Sequence, residues 1–340
     1  MKFVICSLLL LCFYGCDRVL LGPEEDNTVI NNFEIFWQDY RDHYGNFRVK
    51  NIDWDAVYAT YRPQLNEQST EADLYRVLGE MVRLLNDAHV FLDPTDPLPS
   101  VNSGVAGQLA EAQFYNFDLD LVVTDYLTEV IGTFPNLGIL YGRLPNNLGY
   151  IFMQEMNEDL ASQRAAFNQI MNELATTDGL VLDLRNNNGG EDEAGRLIAG
   201  FFTESPNLYM LSRYKIGPGP DDFEEFREWR IDPAETTYSQ AVMWLTNRYS
   251  VSGAETFGLA LKTLPQFTQV GDTTAAAFSD TYDRELPNRW FYGMPVAEVF
   301  DGLGVSYEGI GLIPDELVIA GPEDIDAGQD LVLERALELF

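Results

Sequence analysis

Four short segments hold the residues whose types and spacing suit chemistry. One is the stretch Trp244–Glu255, led into by an apolar run, Ala241 to Leu245, that reads as a buried strand. A polar turn follows, and Ser252-Gly253-Ala254-Glu255 opens a stretch with helical spacing at Phe257, Leu261 and Leu264. A serine at such a turn sits at a helix N-terminus, where free N–H groups and the positive end of the helix dipole stabilise a developing oxyanion. Ser-x-x-Glu is equally a capping box, and a cap does no chemistry. Asn188-Gly189-Gly190 is a second strand-to-helix turn. Paired glycines let backbone N–H groups approach a ligand closely, or serve a turn that needs positive φ. His89 follows Asp87-Ala88 at a helix end and is one of only two histidines. The other, His43, falls at the end of an amphipathic helix and reads as structural. Glu308 stands before Gly309-Ile310-Gly311. It is either a turn acid or a carboxylate able to orient an imidazole. Asp183 and Arg185, on either side of a strand end, read as an ion pair that shapes the glycine loop.

The elements that must position these residues follow from periodicity. Ile30, Phe33, Phe36, Trp37 and Tyr40 share one helical face. A second helix starts at Asp53-Trp54 and a third near Thr70, carrying Leu74, Val77, Leu78, Met81 and Leu85. A strand is expected to begin at Ala88. Residues 29–94 thus form a helical amino-terminal domain. Residues 95–148 read as a β-rich connector, with strands at Leu119–Val123 and Leu137–Tyr141. From residue 149 to 340 strand and helix alternate, which implies right-handed parallel crossovers and a ligand crevice at the carboxyl ends of the strands. Gly189-Gly190 and Ser252 both lie just beyond such ends.

Composition excludes several classes. The formal charge is −33, from 21 basic and 54 acidic residues, so nucleic acid is not an expected partner. No HExxH and no Cys/His cluster occurs, which argues against a zinc hydrolase, and neither metal nor cofactor is expected. Gly-x-Ser-x-Gly, the usual esterase elbow, is also missing. All three cysteines, Cys6, Cys12 and Cys16, fall in a leader with Lys2 ahead of an apolar stretch from Val4 to Tyr14. Residues 1–15 read as a signal peptide and 16–28 as a tether. Gly15-Cys16 resembles a bacterial lipoprotein cleavage site, which makes Cys16 the expected lipid anchor and the chain an exported cell-envelope protein, periplasmic or at the outer membrane; Phe13 and Tyr14 are bulkier than that signal prefers, and ordinary secretion is the alternative.

Taken in order, these segments resemble the S41 serine peptidases, the C-terminal-processing and tricorn-type proteases. Asp183-Leu-Arg-Asn-Asn-Asn-Gly-Gly190 is similar to the family's Asp-x-Arg-x-Asn-x-Gly-Gly. Thr246-Asn247 through Glu255 is similar to its nucleophile segment, and Val270-Gly-Asp-Thr-Thr274 to its Gly-Glu-x-Thr strand end. Glu308-Gly-Ile-Gly-Leu-Ile-Pro-Asp315 resembles its tail, and Leu85-Asn-Asp-Ala-His89 its Leu-x-Asp-Gly-His. Ala88 stands where the tricorn site carries a helper serine, and Ala275-Ala276 where a glycine is often seen. The loop Thr273–Ser279 has no lysine, so the resemblance points to the tricorn-like subgroup, without a PDZ domain. It implies an α/β fold with a crotonase/Clp-protease-like core and a helical amino-terminal domain. It further implies Ser252 as nucleophile, His89 as general base, Glu308 behind the histidine, and Gly253 with Gly189 or Gly190 as oxyanion donors. The implied substrate is a peptide or unfolded protein, as for a tail-specific protease. The same fold also occurs as an inactive binding module for apolar or peptide ligands, and that reading stays open.

Overall fold

The amino-terminal helices form where apolar spacing and capping residues coincide. The computed structural model describes residues 26–340; the expected leader and Cys16 lie outside the described residues. Thr28 caps α1 (Val29–His43), Asp53 caps α2 (Trp54–Tyr61), and Thr70 with Asp73 closes a capping box on α3 (Glu71–Leu85). Asn86, with φ 46°, ends α3. The chain then turns, with the Val90 N–H donating to Asp87 O at 2.9 Å, and β1 (Phe91–Asp93) starts only afterwards. The strand expected from Ala88 is therefore shorter, and His89 sits on the turn.

Next come β2 (Val101–Asn102) and α4 (Gly104–Glu111). The strand expected at Leu119–Val123 is helical instead. The Asp118 carboxylate accepts the Asp120 N–H at 2.9 Å and starts Leu119–Leu121, which continues as a π-helical turn, Val122–Tyr126. β3 (Glu129–Phe134) and β4 (Ile139–Leu144) follow.

The alternating half reads β5 (Leu148–Met153), α5 (Leu160–Glu173), β6 (Gly179–Asp183), α6 (Asp192–Ala199), β7 (Asn207–Tyr214) and β8 (Arg227–Ile231). It continues with β9 (Val242–Thr246), α7 (Gly253–Leu261), β10 (Phe267–Gly271) and β11 (Thr281–Glu285). β12 (Phe291–Pro295), β13 (Ala297–Asp301), β14 (Glu316–Leu317), α8 (Pro322–Asp326) and α9 (Leu331–Glu338) complete the chain. The central sheet has the order β14-β10-β9-β6-β5-β4-β3. Its first five strands are parallel; β4 pairs antiparallel with β5, and β3 antiparallel with β4. Every residue of β5, β6 and β9 is buried, as a parallel sheet covered on both faces requires. Phe167, Ile198 and Phe257 from α5, α6 and α7 pack one face; Val332, Leu333 and Ala336 from α9 pack the other.

Two smaller sheets, β11-β12-β1-β2 and β13-β7-β8, flank this core. Through the first of them the helical unit shares its interior with a distant stretch of chain. Phe33, Phe36, Tyr40 and Met81 pack with Trp290, Tyr292 and Met294, and the Tyr40 hydroxyl donates to Gly293 O at 2.8 Å. No helix among the described residues is long and apolar enough to cross a membrane.

Candidate active site

β6 and β9 are direct neighbours in the sheet, so the loops leaving their carboxyl ends must meet. Asn247 stitches them together: its Oδ1 accepts the Asn186 N–H at 3.1 Å and its Nδ2 donates to Asn186 Oδ1 at 2.7 Å. The Ser250 hydroxyl adds a bond to Leu184 O at 2.8 Å, and the Val251 N–H one to Asn187 O at 3.1 Å. Beneath the glycine loop the expected ion pair is present and extended. Arg185 Nη2 lies 2.6 Å from Asp183 and Nη1 2.7 Å from Asp330, all fully enclosed, with the guanidinium 4.3 Å from the Phe117 ring centroid.

Ser252 holds φ 59° and ψ −122°, a conformation that costs a non-glycine residue roughly 1–3 kcal/mol. Its N–H is fixed by Ala277 O at 3.0 Å and by Glu255 Oε2 at 3.2 Å. The Glu255 carboxylate closes its half of the capping box on the Ser252 N–H, but the Glu255 N–H donates to Ser252 O at 2.7 Å, and no hydrogen bond of the Ser252 hydroxyl occurs among the described residues. Gly189 lies against this turn. A Cβ there would stand 2.6 Å from the Ser252 Cβ, and its φ of 78° suits only glycine well. At Gly190, φ is 121° and a Cβ would meet Met156 O at 2.2 Å. The Gly189 N–H is already taken by Asn187 Oδ1 at 2.9 Å. Ser252, Gly253, Gly189 and Gly190 are thus brought together.

In the sequence Glu255 reads only as a cap; its packed surroundings give it more to do. It is wholly buried and accepts the N–H groups of Ala276 at 2.8 Å and Ala277 at 2.9 Å, together with the Thr274 hydroxyl. Burial pushes its carboxyl up to about 7 against those bonds. The segment it grips carries Ala276 at φ 72°, which explains why glycine suits that position.

That segment also leads to the other candidates. The Phe278 N–H donates to Glu308 Oε2 at 3.0 Å, while Glu308 Oε1 is enclosed without a partner among the described residues. Burial, and then the Asp87 charge, raise the Glu308 carboxyl well above its usual range. His89 is half-buried on its turn, and its Nδ1 is likewise enclosed and unpartnered. Burial lowers the imidazole, with Asp87 and Asp280 opposing and Lys50 adding to the effect. Asp280, two residues beyond Phe278, accepts the Tyr214 hydroxyl. The loop from Thr274 to Asp280 therefore touches the Ser252 turn and Glu308, and ends within electrostatic reach of His89. His43 ends α1 with Nδ1 3.0 Å from Asp39 O and takes no part. Beside the glycine loop opens a cleft of about 670 Å3, bounded by Gly189, Gly190, Asp192, Tyr214, Trp229 and Asp280 among others.

Family and fold similarity to known proteins extends over much of the chain. Residues 147–318 match peptidase family S41, and residues 27–83 match the tricorn protease C1 domain. The tricorn protease of Thermoplasma volcanium is 26% identical over 207 residues, covering 60% of this chain; the match spans 18% of that much longer protein. A protein of Parabacteroides merdae ATCC 43184, described as a candidate peptidase, superposes with a TM-score of 0.76 at 27% identity, covering 92% of this chain and 97% of that one. Mature CPAF, 12% identical, shares the fold with a TM-score of 0.69, covering 92% of this chain and 95% of its own.

Proposed function

Because this chain belongs to peptidase family S41, we propose that it is a serine peptidase that cuts peptide bonds through an acyl-enzyme on Ser252. The observation that carries the reading is the Ser252 turn itself. A strained serine with an uncommitted hydroxyl stands at a helix N-terminus against Gly189-Gly190, at the carboxyl ends of adjacent parallel strands. Ser252 Oγ attacks the peptide carbonyl carbon while His89 takes its proton. The carbonyl oxygen, now an oxyanion, is met by the N–H groups of Gly253 and Gly190, since Asn187 already occupies that of Gly189. His89 returns the proton to the departing amine. Water, activated by the same imidazole, then releases the acid and restores the serine. The place behind the histidine falls to Glu308 from the family resemblance; in this structure the two share no hydrogen bond, since His89 Nδ1 and Glu308 Oε1 are both unpartnered among the described residues. A tricorn-like Ser/His pairing is also supported by the amino-terminal match, which includes the helices that lead to His89.

Hydrolysis of an unfolded protein by the purified chain tests this. Ser252→Ala is expected to abolish cleavage and His89→Ala to slow it about 10²–10⁴-fold, the usual weight of a general base. One observation favours a binding module instead: among the described residues the Nδ1 of His89 has no partner to fix its tautomer. A folded wild-type chain that cleaves nothing but retains peptides would establish that alternative. The leader adds a proposal on location, an exported protein anchored through Cys16. A lipid-sized mass on Cys16 in cells, lost in Cys16→Ser, is the expected result, and an unmodified Cys16 refutes it.

A further inference from the structure

Lys50 belongs to no motif, yet its side chain is only 7% exposed. Its ammonium donates to Leu85 O at 3.2 Å, Asn86 O at 2.8 Å and Asp87 Oδ2 at 3.0 Å, so all three protons are used at the carbonyl end of α3. Tyr44, also buried, donates its hydroxyl to the same Asp87 oxygen at 2.8 Å. The other oxygen, Oδ1, accepts the backbone N–H of His89 at 3.1 Å. The N–H of Asp87 goes to Ser103 Oγ at 3.2 Å, and that hydroxyl donates to Val82 O at 2.7 Å. One enclosed carboxylate therefore ties the α1–α2 connection to the turn that carries the imidazole.

We propose that Asp87, gripped by Lys50 and Tyr44, is a positioning residue for His89: it fixes the His89 turn and keeps a permanent negative charge beside the ring. The inference rests on the reading of His89 as the base. A half-buried base gains from such a charge, because desolvation alone disfavours the imidazolium that forms as Ser252 gives up its proton. The charged groups around the ring are Asp87 on its own turn, Lys50 from the α1–α2 connection and Asp280 from the β10–β11 connection. Glu308 lies within the reach of Asp87 and Lys50, and burial keeps the Tyr44 phenol neutral. Burial opposes ionisation of Asp87, but Lys50, His89 and the hydrogen bonds outweigh it and hold the carboxyl below its ordinary value.

Only two histidines occur, so a chain labelled with carbon-13 histidine gives two imidazole titrations, with His43 as internal reference. Asp87→Asn keeps an oxygen for the His89 N–H and removes the charge. The His89 midpoint is expected to fall by about one unit or more, with His43 unmoved and the acidic limb of kcat/KM shifting equally. An unchanged His89 midpoint in the folded variant overturns the proposal. If Asp87→Asn does not fold, Lys50→Gln serves: with the cation gone the midpoint must rise, and a value that stays or falls overturns the proposal. The ring titration is read without turnover. A midpoint that shifts in a chain with no hydrolysis refutes the peptidase reading alone, and His89-dependent hydrolysis with no shift refutes the positioning role alone.

Discussion

At Ser252 a costly backbone conformation and a free hydroxyl occur together, and Glu255 is what holds them. Its carboxyl reaches the Ser252 N–H and the two alanine N–H groups of the facing loop, so one buried acid sets the distance between the two walls of the site. Such an acid leaves a signature in stability. Burial raises Glu255 to about 7 from an ordinary 4.5, and Asp192, which lines the cleft, to about 7 from 3.8. Between those limits the native chain holds protons that the unfolded chain has lost. Stability therefore falls as pH rises from about 4 to about 7, and this contribution levels off above. Chemical denaturation across that range is expected to show the decline in the wild type and a shallower one in Glu255→Gln. An identical slope in the variant would remove Glu255 as a cause.

Among the elements, the strand ends matter most. β6 and β9 deliver the glycine loop and the serine turn side by side, and Arg185 braces the first of them from below. Removing that guanidinium leaves Asp183 and Asp330 enclosed without their cation. Arg185→Met is expected to cost about 3–5 kcal/mol in denaturant unfolding, and a loss below about 1 kcal/mol would show that the pair is not holding the loop. Much of this scale was legible in the residues alone. The buried runs Gly179–Asp183 and Val242–Thr246, each followed by a polar turn and a helical stretch, need only local pattern. Other parts had no local signal. β11 is largely solvent-exposed along its length and shows no apolar alternation, and the helical turn after Asp118 opens on Leu-Asp-Leu, which also reads as a strand. Lys50 and Tyr44 reach Asp87 from 37 and 43 residues away, a contact that only the packed helices create.

For the molecule as a whole, the proposed site draws its residues from three sheets that share their chain. The unit bearing His89 is completed by β12, and β12 leads back through β13 to the loop with Glu308. The helical unit and the α/β core are therefore interleaved rather than strung in sequence, and the Thr274–Asp280 loop lies where they meet. For peptide hydrolysis one hydroxyl must be a nucleophile and one imidazole its base. Reaction of the purified chain with a fluorophosphonate, followed by mass mapping of the adduct across pH, measures both at once. A single adduct on Ser252 is predicted, forming faster as one group ionises with rising pH and slowly in His89→Ala. A folded chain that stays unlabelled, or one that carries the adduct on another serine, would contradict it.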